Sequence, residues 1–247
     1  MSIETEIDPS IHAGKRTPDV RLWTGFAAIA VAGFLLAEFL VREVMGSRPP
    51  LSDSEALSEF MTRSSTQTII IVMIDTALMA SLIVFLGGFR QLITKSRPDL
   101  EWVADIAFGA GLVFVAVTLV GDGMTGGAAL DTVGAPADPS ALRALTEGHI
   151  LMFGPIGCVL LALVSGASGY VTYASEALPR WTGTIAYVVA GLNLVSVPTM
   201  FGGTSDTSFF SAGGQGVALL ATFPWLIWVI AVGIVTIRGR RGVVMRL

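Results

Sequence analysis

The chain has 247 residues, 53% of them hydrophobic and 14% charged, with a mean hydropathy of +0.72 and a formal net charge of −4. Soluble domains carry about 25% charged residues, so a water-soluble globule is excluded: its apolar surface would outrun the polar side chains available to cover it. A negative balance with no basic, aromatic-rich block excludes nucleic acid as a partner, and the single cysteine, Cys158, has no second cysteine in the chain to pair with.

Residues 1–21 form a polar tail, with Glu4, Glu6 and Asp8 ahead of Lys15 and Arg16. A secretory signal would instead begin basic and turn apolar at once. Six apolar segments follow, near Leu22–Val41, Gln67–Phe89, Trp102–Gly121, Gly148–Tyr173, Thr182–Phe201 and Gln215–Ile237. Each approaches or exceeds the length of about 20 residues that crosses ~30 Å of hydrocarbon as a helix. None contains Lys or Arg. The expected fold is therefore all-α, a polytopic bundle of six transmembrane helices over residues 22–237, closed by a basic tail at 238–247. Runs such as Ile69–Ile74 lack the alternation of a membrane β-barrel. Pro155 and Pro224 are interior to the fourth and sixth segments, and Pro198 lies near the outer end of the fifth. Membrane helices tolerate such breaks when neighbours or water satisfy the freed carbonyls.

The connections set the orientation. Lys15, Arg16, Arg21, Arg90, Lys95, Arg97, Arg180, Arg238, Arg240, Arg241 and Arg246 share one side, against Arg42, Arg48, Arg63 and Arg143 on the other. The richer side is cytoplasmic by the positive-inside rule, which predicts a multi-pass cell-membrane protein with both termini in the cytoplasm. Trp23, Trp102 and Trp181 each open an odd-numbered segment on that side, where an indole anchors at the headgroups. They are spaced 79 residues apart, each closely preceded by a proline (Pro18, Pro98, Pro179). The spacing suggests three parallel helix-hairpin repeats; independent helix starts that each favour Pro and Trp would leave the same pattern. The outer connections, Glu43–Thr66, Asp122–Glu147 and Gly202–Gly214 (which holds Asp206), read as long and irregular. They suit either a functional face or plain surface loops.

Three carboxylates fall within the spans, each costly in hydrocarbon unless paired or protonated. Glu38 has Arg42 one turn on and can pair and snorkel; Asp105 lies near the cytoplasmic headgroups beside Glu101. Asp75 is different. It sits ~12 Å into its helix at 1.5 Å per residue, and its one-turn neighbours Ile71, Val72, Leu78 and Met79 offer nothing. Depth comparison places Asn193, Thr222, Thr118 and His149 at similar levels on other helices. Together with Asp75 they define a candidate substrate- or cation-binding layer in the outer part of the membrane, or a set of interhelical hydrogen bonds that simply hold the bundle. His149 with Met152, Met73 and Met124 also offers soft donors of the kind copper takes, although methionines abound in the chain. Any cofactor is left unknown: Cys-x-x-Cys, His-Glu-x-x-His, Gly-x-Ser-x-Gly and the phosphate-binding loop are absent, and no lysine lies in a span to hold retinal.

The run Ile74-Asp75-Thr76-Ala77 leading to Phe89-Arg90-Gln91-Leu92, and the stretch from His149 through Phe153-Gly154 to Ala177-Leu178-Pro179-Arg180-Trp181-Thr182-Gly183, resemble a bacterial family of six-helix integral membrane proteins known only as a domain of unknown function. The resemblance spans roughly Arg21 to Arg238 and implies architecture without activity. The leading expectation is a transport or small-ligand-binding membrane protein with Asp75 as its proton- or cation-responsive group. The alternatives are a non-catalytic membrane subunit, whose partners beyond the lipid bilayer would be its own copies or another subunit, and an intramembrane enzyme acting on a lipid or isoprenoid. The last requires a second carboxylate, or the histidine, within hydrogen-bond distance of Asp75.

Overall fold

The computed structural model describes residues 19–133, 138–205 and 208–244, with side chains through Gly239. Lys15, Arg16 and the rest of residues 1–18, together with Asp206 and Arg246, lie outside the described residues. Among the described residues there are six helices long and apolar enough to cross a membrane: α1 Val20–Met45, α2 Ser54–Ser96, α3 Pro98–Asp131, α4 Pro139–Ser175, α5 Arg180–Gly202 and α6 Gln215–Gly239. The chain is an all-helical bundle of the multi-pass membrane class. Consecutive helices pack side by side and α6 closes against α1, so the six form a ring in chain order.

Several helices outrun the spans read from hydropathy. α2 has 43 residues and begins at Ser54, where Asp53 caps it by accepting the Ala56 amide at 3.1 Å. Its first turns bury Leu57, Phe60, Met61, Ser64 and Thr68, a helical period that its polar residues hide. The segments read as irregular at 43–66 and 122–147 are therefore largely helical. α3 continues to Asp131 because Gly121 and Gly126 let neighbours close in: a Cβ on Gly121 would meet His149 Nδ1 at 3.3 Å, and one on Gly126 would meet Val72 at 3.6 Å. These extensions form a cap at the long-loop end with its own core, centred on Leu57 and Leu142. Arg48 fastens it by donating to the Thr204 carbonyl at 3.2 Å.

At the other end the ring interior is filled. Trp228 stands edge-on to Phe85 and Phe89, with centroids 6.0 and 6.3 Å away, among Leu82, Val171 and Val232. Here the connections are short. Ser96 donates to the Ser175 carbonyl at 3.1 Å and Arg97 to that of Ala174 at 3.0 Å, tying the α2–α3 turn to the end of α4. Arg90 pairs with Glu101 at 2.9 Å and also with Asp105, which gives Asp105 a cationic partner on the adjoining helix. Trp23, Trp102 and Trp181 are exposed at this end, while Trp225 and Trp228 point inward. The outer surface is apolar, with Leu36, Val84, Val113, Val188 and Ile227 all exposed; lipid is the solvent that such a surface requires.

Two helices are distorted midway. α4 makes a π-turn over Met152–Ile156 around Pro155, with Gly154 at ψ −106°. α6 makes one over Ala218–Thr222, just ahead of Pro224. Proline removes an amide donor and crowds the preceding turn, so the helix widens locally.

Candidate functional site

The filled interior gives way, toward the long-loop end, to two connected spaces. The deeper is a chamber of about 30 Å³, room for about one or two water molecules. Asp75, Glu38, Thr222, Trp225 and Cys158 border it, with Leu161 and Phe114. Above it lies a cavity of about 490 Å³ that shares Glu38, Phe153, Val217 and Thr222 with the chamber. Its size falls within the ~300–1,000 Å³ of small-molecule sites. Both π-turns supply its wall, through Phe153 and Gly154 of α4 and Ala218 and Thr222 of α6.

Asp75 projects from α2 into the ring and is 4% exposed. Its carboxyl is in hydrogen-bond contact with that of Glu38 on α1. Glu38 in turn accepts from Arg42 Nε at 2.5 Å. The pair expected from the i, i+4 spacing exists. The Glu38 side chain is 3% exposed, and the Arg42 side chain, 42% exposed, borders the large cavity. The arrangement is thus an acid pair with a single guanidinium beside it, bordering the chamber, with Glu38 common to chamber and cavity. Asp122 of α3 is buried within electrostatic reach of Glu38 and Arg42, and its Oδ2 has no partner among the described residues.

The other residues singled out from the sequence divide. Thr222 borders both spaces and His149 borders the cavity, where its ring stacks on Phe153 at 6.1 Å. Asn193 and Thr118 border neither space. Asn193 is fully buried on α5, donating to the Val189 carbonyl at 2.9 Å with its Oδ1 unpartnered. Thr118 is buried on α3 with its hydroxyl likewise unpartnered. Depth along the helices gives no information on which way each helix turns them. Glu38 joins the site although its spacing to Arg42 accounted for it within one helix. Asp122 is buried beside the site although a glycine-rich neighbourhood made it look like loop. Among the described residues no three His, Cys, Asp or Glu side chains gather in a metal-holding group.

Comparison of the chain with family models, with curated proteins and with solved structures finds no match. The site is accordingly read from its own geometry.

Proposed function

We propose that this chain is a transport or small-ligand-binding membrane protein. It takes a small molecule into the large cavity and answers to protonation at the Asp75–Glu38 pair. The observation that carries this reading is the joining of a ligand-sized cavity to a chamber holding an acid pair, with Glu38 and Thr222 common to both. A polar layer that served only to hold the helices together would need neither space. The positive-inside count places the long-loop end, and hence the cavity, on the outer side with both termini cytoplasmic. The three-hairpin duplication is compatible with a ring in which neighbours follow chain order. The resemblance to the six-helix family bears on architecture alone.

A second reading is favoured by one specific observation. The intramembrane enzyme required another carboxyl against Asp75, and Glu38 supplies it. An acid pair in a small buried chamber suits general acid–base work on a lipid or isoprenoid. The two readings part on turnover: an enzyme alters its ligand chemically, whereas a carrier or receptor returns it unchanged.

The test is a thermal-stability screen of small molecules on the purified full chain, followed by binding and proteoliposome uptake of any stabilising compound at several pH values. Asp75→Asn is expected to abolish the pH dependence of binding or uptake while the protein remains folded. Unchanged binding, uptake and pH response in that variant would remove the assignment.

A further inference from the structure

The contact between α1 and α6 differs sharply between its two halves. At the filled end the backbones touch. A Cβ on Gly233 would lie 2.9 Å from the Ala28 Cβ, and one on Gly25 would lie 3.1 Å from the Gly233 carbonyl. At the cavity end Gly33, by contrast, would place a Cβ with nothing within 4 Å. The seam is closed by two rings, Phe39 of α1 and Phe223 of α6, stacked with centroids 4.9 Å apart and planes at 15°. Both rings are only partly buried, and Phe39 borders the large cavity. The residues flanking them, Leu36 and Leu40 on α1 and Leu219 and Ile227 on α6, are exposed apolar side chains. On this face Phe39 meets the cavity on one side, while its neighbours Leu36 and Leu40 face outward.

At the long-loop end the cavity reaches the exposed residues Gly46, Ser47 and Gln215. Phe60, Met61, Ile150 and Ala212 of the cap core line it there, and the Arg48–Thr204 bond joins the two connections that meet beside it. The cavity itself is amphipathic. Arg42, Glu38 and His149 are among its polar groups, while Phe39, Phe60 and Phe153 offer apolar surface.

From the contrast between the two halves of this seam and the amphipathic lining of the cavity, we infer that the ligand is a single-chain amphipath dissolved in the bilayer, which passes between α1 and α6 where Phe39 and Phe223 part. Its polar head lies near Arg42 and Glu38, and its apolar body lies against the phenylalanines. The inference rests on the proposed ligand-binding reading and narrows it to a bilayer-borne substrate. The rings need only rotate about their side-chain bonds to open the seam, because no hydrogen bond of theirs holds it and the π-turn preceding Phe223 already loosens α6 at that level.

The experiment uses the full chain, carrying Cys158→Ala, in lipid nanodiscs. Trp225, which borders the chamber, is the reporter; its contribution is the fluorescence lost in Trp225→Phe. Quenching by membrane-dissolved 11-bromoundecan-1-ol is compared with quenching by water-soluble 2-bromoethanol. A Phe39→Cys/Phe223→Cys variant is bridged with a short bis-methanethiosulfonate and then released with reductant. Bromoundecanol is expected to quench the Trp225 component, the bridge to slow that quenching at least tenfold, and reductant to restore it, which also shows that the variant is folded. Quenching by bromoundecanol at the same rate with and without the bridge would overturn the seam route and leave ligand binding intact. Quenching by bromoethanol alone would overturn the bilayer-borne class and leave a cavity filled from water. Quenching by neither would remove this inference and the ligand-binding reading together.

Discussion

Asp75 and Glu38 come from different helices and share a hydrogen bond at the neck between a ligand-sized cavity and a water-sized chamber, with Arg42 holding the far side of Glu38. Removing Arg42 and removing Asp75 have different consequences, because only the first leaves Glu38 without its cation.

Arg42→Gln leaves Glu38 buried without its cation. Breaking a buried ion pair from one side costs about 3–5 kcal/mol, and the partial exposure of Arg42 to the cavity places the expected loss near the lower figure, about 3 kcal/mol. The double variant Glu38→Gln/Arg42→Gln should recover most of it. Unfolding in mixed micelles measures both, and a double variant no more stable than Arg42→Gln would show that the pair is not the reason.

Asp75→Asn keeps the shape and provides an amide that donates to Glu38, which then keeps its charge opposite Arg42. Stability should stay within about 1 kcal/mol of the parent, the size of one ordinary hydrogen bond. Asp75→Leu removes the hydrogen bond to Glu38 and should cost more than Asp75→Asn in the same unfolding measurement. Equal stability of the two variants would mean that Glu38 does not depend on Asp75.

The prolines have a local role that is open to test. Pro155→Ala and Pro224→Ala restore an amide donor to α4 and α6 and should let each helix straighten toward regular α-geometry. The expected outcome is a protein at least as stable, with slower hydrogen exchange across 152–156 or 218–222 and weaker binding of any ligand found in the screen. Unaltered exchange would show that the π-turns are imposed by packing and not by proline.

The α1–α6 seam offers paired glycine substitutions. Gly233→Ala forces a Cβ to 2.9 Å from Ala28, overpacking that typically costs about 1–3 kcal/mol. Gly33→Ala meets nothing within 4 Å and should be neutral or stabilising by up to about 1 kcal/mol, the usual gain of Ala over Gly in a helix. Unfolding of the two variants side by side checks the contrast.

Orientation is tested by labelling. Ser52→Cys on the α1–α2 connection should react with a membrane-impermeant maleimide on intact cells, and Lys95→Cys only after permeabilisation. Cys158, buried inside the bundle, should add little background. The reverse pattern would invert the orientation.

Much of this was legible in the sequence, for identifiable reasons. Hydropathy located the centres of all six helices, because a charge-free run of that length has few other uses. It missed their ends: the stripe Leu57, Phe60, Met61 and Ser64 is helical in period but interrupted by Glu55, Glu59 and Arg63, which suppress a running average. Asp75 stood out because nothing on its own helix could answer its charge. The same logic misjudged Glu38, since a satisfied i, i+4 pair gives no hint that the pair faces inward. Thr222 and His149 reached the cavity while Asn193 and Thr118 did not, a matter of helix rotation that residue depth does not encode. Asp122 was hidden by glycines that look like loop punctuation in water and act as packing contacts between membrane helices.

One further consequence follows from the length of α2. Forty-three residues at 1.5 Å each make a rod of ~65 Å, roughly twice the hydrocarbon thickness of ~30 Å. Leu57 in the cap and Asp75 at the acid pair ride on the same unbroken helix. With no hinge between them, a tilt imposed on the cap by a crowding neighbour or a bound molecule is a torque delivered to Asp75. The cap and the acid pair are joined through one rod of backbone hydrogen bonds.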